Sequence, residues 1–359
     1  MLGYRRILVT GGAGFVGAHL ALSLKRDLEN CDVVALDNLR RRGSELALSR
    51  LAAGGVQFIH GDVRRPEDID AVGAFDLLLD CAAEPSVHAG YSDSPRYALD
   101  VNLTGSANAF EAARRHGADV IFMSTGRVYP VAGLRALPLV EIDSRLVLPD
   151  AAQGAGWSAA GIAENFPLRG ARTIYGATKL AAELLLQEYR ANYGLRTLVN
   201  RCGVIAGPWQ MGKAEQGLVA FWAARHVYGG PLAYHGFGGK GYQVRDPLHV
   251  EDLYDLLSRQ IADWPQHDGQ IYNVGGGQAN SLSLAELTAL CGHFAGSGRP
   301  IAQRSETEPF DIPYYVSDNA LVTATTGWQP AHDLAAIMDE VFRWLVDNRA
   351  TLEPILGAA

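Results

Sequence analysis

"TGGAGFVG", residues 10–17, decides how the rest of this 359-residue chain is read. It follows an apolar run, RRILVT (5–10), and precedes AHLALSLKRDL, whose apolar spacing predicts a helix. Gly11, Gly14 and Gly17 fall in a G-x-x-G-x-x-G pattern. Three demands meet there: a tight turn, a backbone open to pyrophosphate, and a helix packed close to its strand. Each favours a residue without Cβ. The free N–H groups of the helix's first turn, including those of Phe15 and Val16, carry partial positive charge suited to phosphate. A second run, CDVVALD (31–37), ends in Asp37, twenty residues past Gly17. An acid there accepts hydrogen bonds from an adenosine ribose and repels a 2′-phosphate, so the pattern predicts NAD rather than NADP. Arg40-Arg41-Arg42, just beyond Asn38, stays open between a solvated loop and a seat for that phosphate.

Working outward, further apolar runs continue the alternation: VQFIHGD (56–62), FDLLLDCAA (75–83) and ADVIFMS (118–124), the last two separated by a helical ALDVNLTGSANAFEAARRHG. Strands that are apolar throughout and joined by helices imply a parallel sheet covered on both faces, a doubly wound α/β architecture of Rossmann type. Asp62 is open between contact with the adenine, alongside Val63, and a cap for RPEDIDAV. Ala82 and Ala83 are small enough for a cofactor to lie close, and Asn102 joins the expected cofactor set. Residues 131–172 are rich in glycine and small residues without clear period, and read as a long loop. A helix (TKLAAELLLQEYRANYG), a strand (LRTLVNRCGVI) and a mixed C-terminal half follow, in which Ser283 and Glu286 have the spacing of a capping box.

Composition narrows the function. The chain is 48% hydrophobic and carries a net charge of −8, enough apolar residue for a real core and no broad electrostatic case for nucleic acid. Cys31, Cys81, Cys202 and Cys291 are widely spaced, with no CxxC or Cys/His cluster to hold a metal. They read as reduced core residues of a cytoplasmic protein, and no apolar run is long enough to span a membrane.

"YGATK" sets Tyr175 and Lys179 four residues apart on one helix face. A phenol titrating near 10 is a poor base at neutral pH; a neighbouring ammonium stabilises the phenolate and lowers that value. The pair suits removal of a proton from a sugar hydroxyl while NAD takes the hydride from the same carbon.

With TGGAGFVG, Asp37, Asp62, STGRVY (124–129), YGATK and QVRDPLHVEDL in that order, the chain resembles the extended short-chain dehydrogenase/reductase superfamily, the nucleotide-sugar epimerases and dehydratases, over roughly residues 5–345. The resemblance implies Thr125, three positions before Val128, as the third catalytic residue, hydrogen-bonded to the reacting hydroxyl and sharing its proton with Tyr175. Lys179 would also hold the nicotinamide ribose. Residues 1–200 are then expected to be the NAD-binding domain, including the long loop, and 201–359 mainly a smaller nucleotide-sugar-binding domain with segments returning to the Rossmann core.

Gly126-Arg127 bears on the reaction. Dehydratases of this superfamily carry an Asp-Glu pair straight after the threonine, for an elimination that needs two carboxylates. Here the pair is missing, and an epimerase does not need it. "FMSTGRVY", "GIAENF" (161–166), "GFGGKGYQVRDPLH" (236–249), "YNVGGGQANSLSLAEL" (272–287) and "AAEPSVHAGYSDSP" (82–95) resemble one branch, the CDP-paratose 2-epimerases or CDP-tyvelose epimerases of carbohydrate biosynthesis. This implies inversion at C2 of a CDP-linked deoxyhexose through a transient keto-sugar and NADH. The expected substrate contacts are Glu84, His88, Ser124, Arg127 and Arg245, with Arg245 on the diphosphate or else a surface arginine paired with Asp246 or Glu251. His249 reads as structural. Gly126-Arg127 departs from the branch's Asn-Lys, and Pro313 stands where related epimerases often place an arginine. A homodimer or homotetramer built from paired helices is expected. A nucleotide-sugar 4-epimerase or other modifier, and a non-catalytic dinucleotide sensor on the same fold, are the rival readings.

Overall fold

The computed structural model describes residues 3–28, 30–91, 94–213 and 216–357; Ser92 and Asp93 of the 82–95 stretch lie outside the described residues. Among those residues a seven-stranded sheet is formed by β1 (Arg6–Thr10), β2 (Asp32–Asp37), β3 (Gln57–His60), β4 (Leu77–Asp80), β5 (Asp119–Thr125), β6 (Thr197–Cys202) and β7 (Gln270–Val274). The order across the sheet is β7-β6-β5-β4-β1-β2-β3. β1 runs parallel to both β2 and β4, β2 to β3, and β4 to β5. The chain thus builds outward from β1 to β3, then restarts on the other side at β4. That reversal opens a crevice at the C-terminal ends of β1 and β4, where open α/β sheets take their ligands.

All residues of β4 and β5 are buried, as strands covered on both faces must be. Leu8, Val34, Leu78 and Phe122 pack with Phe110, Ala182 and Leu186 from the helices. Each of the valine, leucine and phenylalanine side chains contributes about 1.5–3 kcal/mol by leaving water.

The helix expected over residues 98–117 is broken. Arg96–Leu99 is α-helical, Asp100–Gly105 is a π-turn, and Ser106–His116 is α-helical again. One π-turn in a helix shifts the register of the side chains that follow, a device often found at functional sites. Ile174–Tyr193 is a single helix, started by Thr173, whose side chain accepts from the Gly176 N–H at 3.0 Å, and ended by Gly194 at φ 71°.

The reading of 131–172 as a long loop is corrected. This stretch holds a short helix, Val131–Arg135, a hairpin of Val140–Ile142 with Arg145–Val147, and three two-residue strands from Gln153 to Ile162. Elements of two to five residues cannot display a period, so the pattern gave no sign of them.

Two compact units interleave along the chain: Met1–Val128, Thr173–Arg201 and Leu253–Tyr272 make one; Tyr129–Arg172, Cys202–Asp252 and Asn273–Ala359 make the other. Residues 129–172 therefore group with the later half, whereas the sequence placed them in the first domain, 1–200, with some later segments returning to it. In the second unit the helices Leu218–Tyr228, Leu284–Ala295 and Leu334–Asp347 pack on one another. Ser283 and Glu286 form the expected box: the serine accepts from the Glu286 N–H at 3.0 Å and the glutamate from the Ser283 N–H at 2.6 Å. No described helix is long and apolar enough to cross a membrane.

Candidate active site

The glycine loop is built as its spacing requires. Gly11 has φ 62°, and a Cβ there would lie 2.9 Å from the backbone of Ala82, so β1 and the end of β4 meet at the switch point only because Gly11 lacks a side chain. A Cβ on Gly17 would come within 2.2 Å of the Gly11 carbonyl oxygen, which is how closely the helix Phe15–Asp27 sits on the loop. Gly14 is that helix's N-cap; no side chain caps it and its first turn carries no acid. Its first-turn amides are left for an anion. A dinucleotide's pyrophosphate fits this cradle of bare backbone and helix terminus.

Asp37 stands at the end of β2 with both carboxylate oxygens on backbone: one accepts from Leu39 N–H at 2.8 Å, the other from Ala13 N–H at 3.1 Å. The acid therefore ties the glycine loop to β2. Burial pushes its pKa up, and the amides of Leu39, Ala13 and Gly14 oppose that.

The capping role left open for Asp62 is corrected. The helix Pro66–Asp70 is capped at Arg65 without a side-chain bond, while Asp62 accepts from Arg64 at 2.6 Å and from Asn38 at 3.1 Å. The Arg64 guanidinium holds the Asp62 carboxyl well below the usual carboxylate range. Arg40 lies 3.9 Å and Arg64 4.9 Å from the Tyr97 ring centroid. Arg40 of the basic triplet is thus engaged with an aromatic face.

Thr125 is the last residue of β5, buried, and its hydroxyl accepts from the Arg127 N–H at 3.1 Å. Tyr175 is the second residue of the helix that begins at Ile174, and Lys179 follows one turn later. Lys179 is 1% exposed, with its ammonium 3.9 Å from the Phe122 ring centroid. A cation held in an apolar interior against an aromatic face acts far more strongly on a nearby phenolate than one in water.

The two hydroxyls of STGRVY part company. Ser124 donates to Glu183 inside the protein, and Glu183 is in turn paired with Arg201 at 2.7 Å. Neighbouring residues of a strand face opposite sides, so Ser124, expected to contact substrate, is instead engaged in a buried ion pair. Glu183 and Arg201 were missed in the sequence. The available signal was two charges inside apolar runs, LAAELLL and TLVNRC, because a buried charge has to be paired.

Asn102 is fully buried in the π-turn. Its amide accepts from Glu84 N–H at 2.7 Å, and donates to Glu84 O at 3.0 Å and Thr178 Oγ1 at 3.2 Å. It holds the chain after β4 against the helix bearing Tyr175 and Lys179. Glu84 accepts from the Ser86 N–H at 3.2 Å, and Ser86 accepts from the His88 N–H at 3.2 Å, so the two expected substrate contacts share one turn.

In the second unit, the Arg245 guanidinium donates to Val244 O at 2.7 Å and Ile312 O at 2.9 Å, and Val244 N–H donates to Pro313 O at 3.0 Å. Asp246 is fully buried, accepting from Ser317 N–H at 2.9 Å and Gly277 N–H at 3.3 Å, and desolvation pushes its carboxyl up to about 6. Arg245 thus projects from a strand that Asp246 pins from within. His249 is buried, stacks on His332 at 4.2 Å between centroids, and lies 3.2 Å from Glu340.

A profile of the NAD dependent epimerase/dehydratase family matches residues 7–275. The CDP-paratose 2-epimerase of Salmonella typhi is 28% identical over 352 residues, 94% of this chain and 98% of that protein. Among solved structures, a Thermus thermophilus UDP-glucose 4-epimerase in complex with NAD superposes with a TM-score of 0.77 at 26% identity, covering 95% of this chain and 99% of the other. DesIV, a dTDP-glucose 4,6-dehydratase from Streptomyces venezuelae with NAD bound, gives 0.79 at 26% identity, covering 98% and 99%. With the family profile over three quarters of its length, this chain belongs to the NAD dependent epimerase/dehydratase family and is an NAD-dependent enzyme.

Proposed function

We propose that this protein is an NAD-dependent nucleotide-sugar epimerase that inverts C2 of a CDP-linked deoxyhexose. The observation that carries the reading is the chain's residue set at the end of β5 and on the facing helix: Thr125, Tyr175 and Lys179 are present, and Gly126-Arg127 stands where a dehydratase needs two carboxylates. NAD, when bound, takes a hydride from the sugar and returns it. Tyr175, as phenolate, removes the proton of the reacting hydroxyl and gives it back when the carbonyl is reduced. Thr125 orients that hydroxyl, and the desolvated Lys179 ammonium keeps the phenolate accessible near neutral pH. Inversion requires the intermediate to present its opposite face before reduction.

The cytidine and C2 assignments lean on the similarity to the Salmonella typhi enzyme and on the branch motifs. Glu84 and His88 are proposed to bind sugar hydroxyls, and Arg245 the diphosphate. Arg127, two residues beyond Thr125, would adapt the pocket to a sugar different from that branch's own. Self-association through the helix Ile174–Tyr193 is supported by Leu184, which stands 55% exposed on it. The largely buried cysteines suit a reducing cytoplasm.

The test is a panel of CDP-, UDP- and dTDP-sugars followed by NMR for the inverted carbon. Inversion at C2 of a CDP-sugar supports the reading. Inversion at C4 of a UDP-sugar would replace it with the 4-epimerase, and loss of water would replace it with a dehydratase.

A further inference from the structure

The helix that carries Tyr175 and Lys179 carries Glu183 on the same face, one turn further on. Glu183 is 1% exposed, an unusual place for a carboxylate. It accepts from Ser124 on β5 and is ion-paired with Arg201, itself 3% exposed, on β6. β5 is the strand that ends in Thr125, and its Phe122 supplies the ring under the Lys179 ammonium. One side chain therefore links the reactive helix to two strands, through charged contacts buried from bulk solvent.

We propose that Glu183, through Ser124 and Arg201, is a positioning residue: it fixes the register of the Tyr175–Lys179 helix against β5 and cancels a cation that would otherwise set the protonation window of Tyr175. This rests on the reading of Tyr175 and Lys179 as the reacting pair.

A buried ion pair is poor evidence for stability, since an apolar pair of similar volume often serves as well. What an apolar pair cannot do is tie the helix to β5 and β6 through directed hydrogen bonds, as Ser124 and Arg201 do on Glu183. Lys179 and Glu183 sit about 6 Å apart on the helix, as residues four apart do. The other charged groups on elements packed against this helix are paired: Arg96 with Asp100, Glu111 with Arg114 and with the Tyr189 hydroxyl, Arg115 with Asp70, and Asp119 with Arg196. Arg127, on the turn after Thr125, adds a further cation, and burial lowers the pKa of His116.

The two halves of the pair have opposite signs, so removing each moves Tyr175 in opposite directions. Glu183→Gln leaves Arg201 uncompensated, makes the potential more positive, and favours phenolate. Arg201→Met leaves the carboxylate and disfavours it. A unit charge about 10 Å away at an effective dielectric of about 20 moves a titration by on the order of one pH unit.

The experiment is NMR of the NAD-loaded protein labelled at tyrosine ζ-carbon, with Tyr175→Phe assigning the resonance. Expected are a Tyr175 titration about one unit lower in Glu183→Gln, about one unit higher in Arg201→Met, and near wild type in the double variant. Shifts in the same direction, or none in either folded variant, overturn the proposal. A charge variant recovered only as aggregate is replaced by Ser124→Ala, which keeps the ion pair; the Tyr175 resonance should broaden or split as the helix loosens, and Ser124→Thr should restore it. An unchanged resonance in Ser124→Ala overturns the proposal equally. Lys179→Met separates the two levels. A Tyr175 titration that ignores Lys179 refutes the reading of the site itself, whereas one that responds to Lys179 but not to Glu183 or Arg201 refutes only this inference.

Discussion

Replacing Gly17 with alanine is the sharpest probe of the cofactor cradle, because two opposing effects can be weighed. Gly17 lies in the first turn of a helix, where alanine is the better helix former by about 1 kcal/mol. Against this, the new Cβ would sit 2.2 Å from the Gly11 oxygen and 2.8 Å from its carbonyl carbon, both backbone atoms that no rotamer change can move. Relief requires the helix to withdraw by roughly 1 Å, and overpacking of that kind costs about 1–3 kcal/mol. The net loss of stability is therefore small, about 0–2 kcal/mol. The loss in cofactor binding should be larger, since withdrawal takes the first-turn amides away from the pyrophosphate; losing two hydrogen bonds to a charged group corresponds to about 3 kcal/mol or more, over 100-fold in Kd. Isothermal titration with NAD measures this directly, after removal of any retained cofactor. Gly298→Ala, where nothing lies within 4 Å of the new methyl, is the control and should bind as wild type. NAD affinity within threefold of wild type in Gly17→Ala would refute the argument that this contact places the helix terminus.

Further outcomes follow from the same geometry. NADP should bind at least tenfold more weakly than NAD, because its 2′-phosphate meets the Asp37 carboxylate; fluorescence titration giving equal affinities would contradict this. Tyr175→Phe should lower turnover at least 100-fold while NAD remains bound; unchanged turnover would point to another base. Asp246 is buried with its carboxyl raised to about 6, so the folded state holds a proton that the unfolded state has lost between about pH 4 and 6. That group's contribution to stability therefore falls as pH rises through this window, and levels off above it. Asp246→Asn should gain stability relative to wild type between pH 4.5 and 7, read by denaturant titration; a constant difference would show that the carboxyl is not displaced. Leu184→Arg should reduce self-association in sedimentation velocity, and no change in mass would place any interface elsewhere.

How much of this was legible in the sequence varies with the kind of signal. The glycine loop and the buried strands were readable because a tight turn and a two-sided sheet each impose local residue choices. YGATK was readable because a helix converts a spacing of four into one face. The short hairpins within 129–172 were not, because their stability comes from tertiary pairing rather than from any repeat. Ser124 was misread for a different reason. Two adjacent hydroxyls look alike in sequence, and only the strand's alternation, with Glu183 on one side, separates the buried bond of Ser124 from the position of Thr125. Asp62 was ambiguous because a strand-end acid before a helix resembles a cap until Arg64 is seen to hold it.

The central claim is that hydride leaves and returns to one carbon of a nucleotide-sugar without entering the solvent. Incubation with a CDP-linked deoxyhexose in D2O, followed by mass and NMR analysis of the product, tests it most directly. The account predicts an inverted C2 that carries protium only. Deuterium on the inverted carbon would contradict it and require a proton-abstracting mechanism in place of the one assigned to Thr125, Tyr175 and Lys179.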